Sequence, residues 1–450
     1  MTWIDVQRRS RRGTAAVLAV LTAAVCLLAV PAAHAALGFQ GLSGKPASLA
    51  AGAHSNVDIH IGFTDPSDQV KDLTVHLPPG LVGNPRAAPL CTPTQLNGDS
   101  CPANSKVGSV VANVNVVAVP GALEVPLTVN GSLYNLVAHQ GEPARFGIVL
   151  KPVALPPPLG GTLPKIIQQS AVQLRRSDFG LDTIVNDFPR ETSGLETDIT
   201  SLDLSLQGTV NGRGFMRNPT SCTLKTFSFD AVSYGRHSVH GAAPSFTPTN
   251  CGALPFSPAF TVKIGAPGAT RPGSSPPLTT VIEQDATEAG LASAKVLLPS
   301  GVEANSALLT TSCPLLRFEV DATTCPARTI VGSATATSPF VPSALTGPVV
   351  VVAPGKNGFP RLGVELNGPL SLHILGSFVL ESAGVGNAFA KLPDIPIARF
   401  ALRFHGGRNG LVTISRNLCG SQAPRFLGVF DGFNGAHRQG RVPAQVNGCS

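Results

Sequence analysis

Val57-Asp58-Ile59-His60-Ile61-Gly62-Phe63 places an apolar side chain at every second position. That period suits a β-strand with one buried and one wet face, and it does not suit a helix. The pattern continues outward through Leu73, Val75 and Leu77, then Leu123, Val125, Leu127 and Val129. It returns at Leu202, Leu204 and Leu206, at Leu370, Leu372 and Ile374, and at Phe400, Leu402 and Phe404. Turn formers fill the intervals, with 47 Gly and 40 Pro in 450 residues. No long amphipathic helical pattern is present, and Gln168 to Leu174 reads as at most one short helix. Asn-Gly pairs tolerate the positive φ of type I′ turns. Hairpins are therefore expected at Asn130-Gly131, Asn211-Gly212 and Asn409-Gly410, the last two at equivalent places in two halves.

The two halves are announced by cysteine order. Cys91 and Cys101 form a narrow pair and Cys222 and Cys251 a wide one; Cys313 and Cys325 are narrow again and Cys419 and Cys449 wide again. The flanks repeat in the same order. Leu77-Pro78-Pro79-Gly80-Leu81 is echoed by Leu298-Pro299-Ser300-Gly301-Val302, Cys101-Pro102 by Cys325-Pro326, and Arg217-Asn218 by Arg416-Asn417. Gly141-Glu142-Pro143-Ala144-Arg145-Phe146-Gly147 is echoed by Gly358-Phe359-Pro360-Arg361-Leu362-Gly363. The expected fold is all-β: two tandem, internally duplicated β-sandwich-like domains over residues 36–256 and 257–450, without barrel closure. A short join near Phe256 to Pro258 leaves little room for one domain to swing. Pro152 to Lys165, with Pro156-Pro157-Pro158, reads as an extra surface loop in the first unit. Eight cysteines allow about a hundred pairings. The repeat reduces these to the simplest set, Cys91–Cys101, Cys222–Cys251, Cys313–Cys325 and Cys419–Cys449. Zinc sites want cysteines two to four residues apart, so these spacings favour structural disulfides over metal.

Residues 1–35 read as an export signal. Arg8, Arg9, Arg11 and Arg12 precede an apolar stretch from Thr14 to Val30, which holds Cys26, and Ala33-His34-Ala35 is a small-x-small cleavage site. The Arg pairs raise a twin-arginine route, although the usual Phe-Leu is missing. The whole chain carries a net charge of +7; removing four Arg and one Asp with the signal leaves about +4. No Lys/Arg run survives, which argues against nucleic acid as a partner. No second apolar stretch is long enough to span a membrane. Trp3 is the only tryptophan, and Tyr134 and Tyr234 are the only tyrosines, so stacking platforms for sugars or flat ligands are scarce.

No nucleophile elbow, zinc-protease motif, phosphate loop or EF-hand is present. His405-Gly406-Gly407 resembles some lipase oxyanion loops but reads better as a strand end and turn. His237 and His240 read as solvated loop histidines, and Asp182, Asp187, Glu191 and Glu196 as a solvated acidic face. Arg145 and Arg361, kept in both units, read as fold residues that satisfy carbonyls or a nearby carboxylate. No catalytic, cofactor or metal residues are assigned. Val153 to Pro164 carries no charge, and it suits either an apolar partner or packing over its own domain.

The segment Leu77-Pro78-Pro79-Gly80-Leu81-Val82-Gly83-Asn84-Pro85, followed by Cys91-Thr92 and Cys101-Pro102, resembles recurring stretches of large secreted actinobacterial repeat proteins. Tyr134-Asn135-Leu136-Val137, Gly141 to Gly147 and Asp178-Phe179-Gly180-Leu181 resemble the same functionally uncharacterised family, and the second unit does so more faintly. The resemblance implies repeated extracellular β-domains at or beyond the cell envelope, with no established catalytic residues. Three functions then fit, in descending order. The first is an exported, non-enzymatic β-domain protein with a structural or adhesive role among cell-envelope components. The second is a carrier of an apolar envelope molecule such as a lipid or glycolipid, and the third a hydrolase with a dispersed, loop-borne site.

Overall fold

The computed structural model of the protein describes residues 36–64, 68–119, 123–157, 159–355, 358–420 and 422–449. The expected export signal over residues 1–35, with Cys26, lies outside the described residues, as does Pro158. Eleven main strands make up the first unit. They are β1 (Phe39–Pro46), β2 (Val57–Phe63), β3 (Val70–His76), β4 (Lys106–Val119), β5 (Leu123–Leu136), β6 (Ala144–Leu150), β7 (Ile166–Leu174), β8 (Leu181–Val185), β9 (Leu195–Leu206), β10 (Ser228–Ser233) and β11 (Ser238–Ala242). The second unit repeats them as β12 (Ala259–Ile264), β13 (Leu278–Glu283), β14 (Leu291–Leu297), β15 (Ile330–Thr337), β16 (Leu345–Val352), β17 (Arg361–Asn367), β18 (Ser371–Glu381), β19 (Gly384–Phe389), β20 (Arg399–Phe404), β21 (Arg425–Gly432) and β22 (His437–Pro443).

Strand order makes the duplication explicit. The first sheet runs β1-β2-β9-β4-β5-β6-β7-β8-β3-β10-β11, and the second runs β12-β13-β20-β15-β16-β17-β18-β19-β14-β21-β22. Each strand of one list is the counterpart of the strand in the same place in the other. A two-residue ladder between Val82–Gly83 and Met216–Arg217 also recurs, as the ladder between Val302–Ala304 and Val412–Ile414. All four expected disulfides are present, each inside its own unit.

The all-β duplicated architecture is thus as expected, but its two-layer form comes from one sheet per unit. Each sheet curls until its first and last strands lie side by side. Little backbone pairing closes the ring: a single parallel bridge between Ala50 and Thr249 in the first unit, and in the second a two-residue parallel ladder in which Gln445–Val446, just after β22, pairs with Lys263 and Ile264 of β12. Aromatic pairs cover the rest of the seam. Phe39 and Phe229 have ring centroids 6.2 Å apart in the first unit, and Phe260 and Phe430 are 5.5 Å apart in the second. Each unit is therefore a nearly closed barrel, a closer approach to closure than the sequence suggests. The alternating residues point inward: Val57, Ile59, Ile61 and Phe63 are all at most 4% exposed.

Three local expectations are overturned. Asn130-Gly131 is not a turn, because β5 runs straight through it. Asn130 pairs with Val111, and a Cβ on Gly131 would come within 2.7 Å of the Val149 carbonyl oxygen. The glycine permits close strand contact there, not a positive φ. At Asn409-Gly410 the chain makes a single 3-10 turn over Gly407–Asn409, and the positive φ falls on Gly407. Only Asn211 and Gly212, with φ of 52° and 74°, form the predicted type I′ turn. Gln168 to Leu174 belongs to strand β7, where pairing with β6 and β8 on both sides outweighs any local helical preference.

The repeated arginine and glycine have a shared explanation. Each narrow cysteine loop holds a short helix, Pro93–Asn97 or Leu315–Val320, that drops one fully buried side chain onto the sheet. That side chain is Leu96 in one unit and Phe318 in the other. A Cβ on Gly147 would lie 2.6 Å from Leu96, and one on Gly363 would lie 2.6 Å from Phe318. Two residues earlier on the same strands, Arg145 donates to Glu142 and Gln169, and Arg361 donates to the Ala353 carbonyl. Both arginines serve the fold. Gly363→Ala is expected to lower unfolding free energy by about 1–3 kcal/mol through overpacking. The open position Gly440→Ala should change it by less than about 0.5 kcal/mol. Urea denaturation of the two variants checks the contrast.

Candidate functional site

Curling a sheet of eleven strands leaves an interior that side chains must fill, and barrel diameter grows with strand number. Here the fillers are mostly Val, Leu, Ile and Ala, and the filling is incomplete. The first barrel encloses a cavity with about 900 Å³ of empty space, including its opening, lined by Val75, Ile148, Val185 and Leu202 among others. The second encloses about 750 Å³, lined by Leu362, Phe378, Phe389 and Leu402 among others.

A third cavity, larger than these two, lies where the two barrels meet, with about 1500 Å³ of empty space including its mouth. A water molecule's centre can occupy about 130 Å³ of it. The first unit contributes Phe146, Leu174, Phe179, Phe215 and Met216, and the second Phe340, Leu345, Leu372, Leu392 and Phe400. It shares Ile282, Ala294, Phe389 and Phe400 with the second barrel's interior, and Phe146 and Thr183 with the first barrel's. The three spaces therefore adjoin in series. No charged side chain lines any of them among the described residues.

A buried polar knot clamps the barrels beside this cavity. Asp394 sits between Pro393 and Ile395, which line the cavity, and is itself 5% exposed. Its carboxylate accepts from the Thr220 backbone N–H at 2.8 Å and from the Thr220 hydroxyl at 2.5 Å. The same hydroxyl accepts from the Gly290 N–H at 3.0 Å, and Arg217 Nη2 donates to the Glu288 carbonyl at 2.9 Å. Burial pushes the Asp394 carboxyl above the usual carboxylate range, against the pull of the Thr220 hydrogen bonds and of Arg217 and Lys225. Burial likewise lowers Arg217 and Lys225, and Asp394 opposes the shift in both. Further cross-links run from Arg176 to the Glu319 carbonyl and from Arg438 to the Phe256 carbonyl at the join.

The polar residues singled out from sequence lie elsewhere; only His240, which sits in strand β11 and not in a loop, and Asp182 are brought into one chain, through Asp230 and His76. His237 pairs with Asp68 and His240 with Asp230. Asp182 meets His76 and Arg175, Asp187 meets Lys71, and Glu196 meets Arg190. Glu191 faces Glu196 across a short ladder. The N–H of Gly407 donates to the Ser275 carbonyl, so it is not a free oxyanion donor. Among the described residues no group of three or more His, Cys, Asp or Glu side chains converges to hold a metal ion. The Val153 to Pro164 segment forms a tiny hairpin, Val153–Ala154 with Thr162–Leu163. Leu163 is buried and Val153 packs on the first core, so part of the segment covers its own domain, and it lines none of the three cavities. Sequence reading missed Asp394 and the cavity wall. A signal was available in Leu392-Pro393-Asp394-Ile395-Pro396-Ile397, one carboxylate inside an otherwise apolar run.

No family model and no curated protein matches this chain. Among solved structures it is similar to a protein from Corynebacterium diphtheriae described provisionally as membrane anchored, at 8% identity and a TM-score of 0.19, over 90% of this chain and 89% of that one. It is also similar to the type II cohesin dyad of the adaptor ScaA scaffoldin of Acetivibrio cellulolyticus, at 7% identity and a TM-score of 0.17, over 91% and 96% of the two chains. Superpositions this loose carry no argument about fold or function. No helix among the described residues is long and apolar enough to cross a membrane. Four disulfides fit an oxidising compartment.

Removing one partner from a buried charge cluster strands the others. Asp394→Ala should therefore cost about 3–5 kcal/mol of stability, measured by chemical denaturation. The knot also has a pH signature. An unfolded Asp titrates near about 3.9, and the folded carboxyl titrates above that. Between the two values the folded chain holds a proton that the unfolded chain has released, so this group's contribution to stability falls as pH rises. Asp394→Asn should remove that slope from the pH profile of unfolding.

Proposed function

We propose that the protein is a non-enzymatic carrier or binder of an apolar, chain-like molecule at the outer face of the cell envelope. The observation that supports this reading is the series of adjoining apolar cavities, widest between the two barrels. Protein interiors are normally close-packed. Leaving about 130 Å³ empty costs on the order of 3 kcal/mol. An alkyl ligand recovers that loss, whereas water gains little in a space with so few polar partners. Mostly apolar walls with a few polar groups are the usual make-up of small-molecule sites.

The envelope location is supported by the four disulfides, the basic and apolar leader, and the resemblance of the Leu77 to Pro85 and Gly141 to Gly147 segments to secreted actinobacterial repeat proteins. A structural or adhesive role is compatible with the same location. It gives no reason for a cavity spanning both repeats, and the carrier reading therefore takes first place.

Protein purified without detergent should yield a long-chain lipid in an organic extract, seen by mass spectrometry in near-stoichiometric amount. It should also take up an environment-sensitive alkyl fluorophore after delipidation. Val341→Glu puts a carboxylate on the cavity wall, and with the fold intact by circular dichroism it should weaken uptake at least about tenfold. A lipid-free extract, together with no uptake by the wild-type chain, would sink the proposal.

A further inference from the structure

We infer that each barrel interior receives one uncharged hydrogen-bonding group of the apolar ligand, a hydroxyl, ester or amide, at the same place in both repeats. This deepens the carrier reading and rests on it.

Strand registers locate the place. Arg145 on β6 faces Ala171, and its counterpart Arg361 on β17 faces Ser377. Ser170 and Gly376 are therefore equivalent, as are Val172 and Phe378. Val172 pairs with Thr183, and Phe378 pairs with Asn387. The other neighbour agrees: Thr183 faces Val75 and Asn387 faces Val296, which sets Leu77 against Leu298 as the repeated proline-glycine motifs require. The polar residues Thr183 and Asn387 are thus the same position in two mostly apolar cavities, whose other polar wall residues are Gln168, Ser170, Thr192 and Thr197 in the first and Thr280 in the second.

Both barrels hold unpaired polar atoms at that position or beside it, and the first cavity has a second unpaired hydroxyl, Thr192 Oγ1. In the first barrel Ser170 is 2% exposed, lines the cavity beside Thr183, and its Oγ has no hydrogen-bond partner among the described residues. In the second barrel the cavity-lining Asn387 has Oδ1 and Nδ2 shut off from solvent, and neither atom has a partner among the described residues. A Cβ on Gly376 would fall 2.3 Å from Asn387 Oδ1, so the glycine that replaces Ser170 makes room for the larger amide. Buried polar groups are rarely left unpaired. A donor and acceptor set inside an apolar wall gives a ligand one orientation and one matching group. With no charged side chain on the walls, a free carboxylate or ammonium would be desolvated without a counter-ion. The matching group is therefore neutral. An internal water molecule is the rival occupant.

The test is displacement of the alkyl fluorophore from the full-length chain by dodecane, 1-dodecanol and dodecanoate at pH 8. The wild type, Asn387→Leu, Ser170→Ala and the double variant are compared. Ser170→Ala removes a single oxygen and keeps the test valid if Asn387→Leu misfolds. Each single variant should weaken dodecanol about five- to tenfold while leaving dodecane unchanged or tighter. Dodecanoate should bind the wild type more weakly than dodecanol. A dodecanol-to-dodecane ratio unmoved by any variant overturns the inference and leaves the carrier reading standing, with water as the occupant. Dodecanoate equal to dodecanol overturns the neutral-group requirement. If neither dodecane nor dodecanol displaces the fluorophore and the fluorophore itself does not bind, the carrier reading falls and this inference falls with it.

Discussion

One sheet curled on itself sets everything else in this molecule. A two-sheet sandwich can slide its layers together until the gap closes. A continuous ladder of eleven strands fixes its own circumference, because neighbouring strands keep a constant spacing of about 4.8 Å. The interior is then a volume imposed on the side chains, and only 5% of the residues are Phe, Trp or Tyr. Aliphatic side chains cover the wall without filling the centre. The seam shows the same economy: where backbone pairing thins to one or two parallel bridges, between the β1 and β11 sides and between the β12 and β22 sides, phenylalanines from β1 and β10, and from β12 and β21, cover the gap. The cavities follow from strand number and composition together.

The repeats keep what barrel closure needs and vary elsewhere. Arg145 and Arg361 satisfy different acceptors from the same strand position, and Gly147 and Gly363 receive different side chains, Leu96 and Phe318. The space left by a missing Cβ is retained while the group that enters it has changed. The first unit is longer partly because of its extra hairpin around Val153 and Leu163, and partly because β4 and β5 have 14 residues each where β15 and β16 have 8.

Alternation and cysteine order were enough to read all-β structure, duplication and the four bridges. Those signals are local or periodic, and each has one cheap physical solution. Turns were less legible. Asn211-Gly212 and Asn130-Gly131 are the same dipeptide, yet only the first is a turn. At the second, strand partners on both sides claim the backbone hydrogen bonds, and a glycine is needed for close approach. A dipeptide cannot report on its neighbours across a sheet. The candidate site was hidden for the same reason on a larger scale. Leu174, Phe215, Phe340 and Leu392 are unremarkable core residues in sequence, and only the packing of one barrel on the other makes them a wall. Barrel closure was hidden too, since period-two alternation is the same whether a strand belongs to a sandwich or a barrel.

The polar knot beside the central cavity resolves an apparent conflict. Two apolar surfaces facing each other across empty space should close on it, because burial of apolar area is favourable and direction-free. A buried carboxylate is not direction-free. Asp394 is satisfied only while Thr220 presents both its N–H and its hydroxyl, and Thr220 in turn holds Gly290. Sliding the barrels together would break the Asp394–Thr220 and Arg217–Glu288 hydrogen bonds, and breaking a buried charge's contacts costs about 3–5 kcal/mol, comparable with the cavity. These directional contacts oppose closure of the interface, which an apolar contact in the same place would not do. The same constraint explains why the one carboxylate in the Leu392 to Ile397 run sits at the cavity's edge and not on its wall. At the edge it links the barrels through Thr220 and leaves the space itself free of charge.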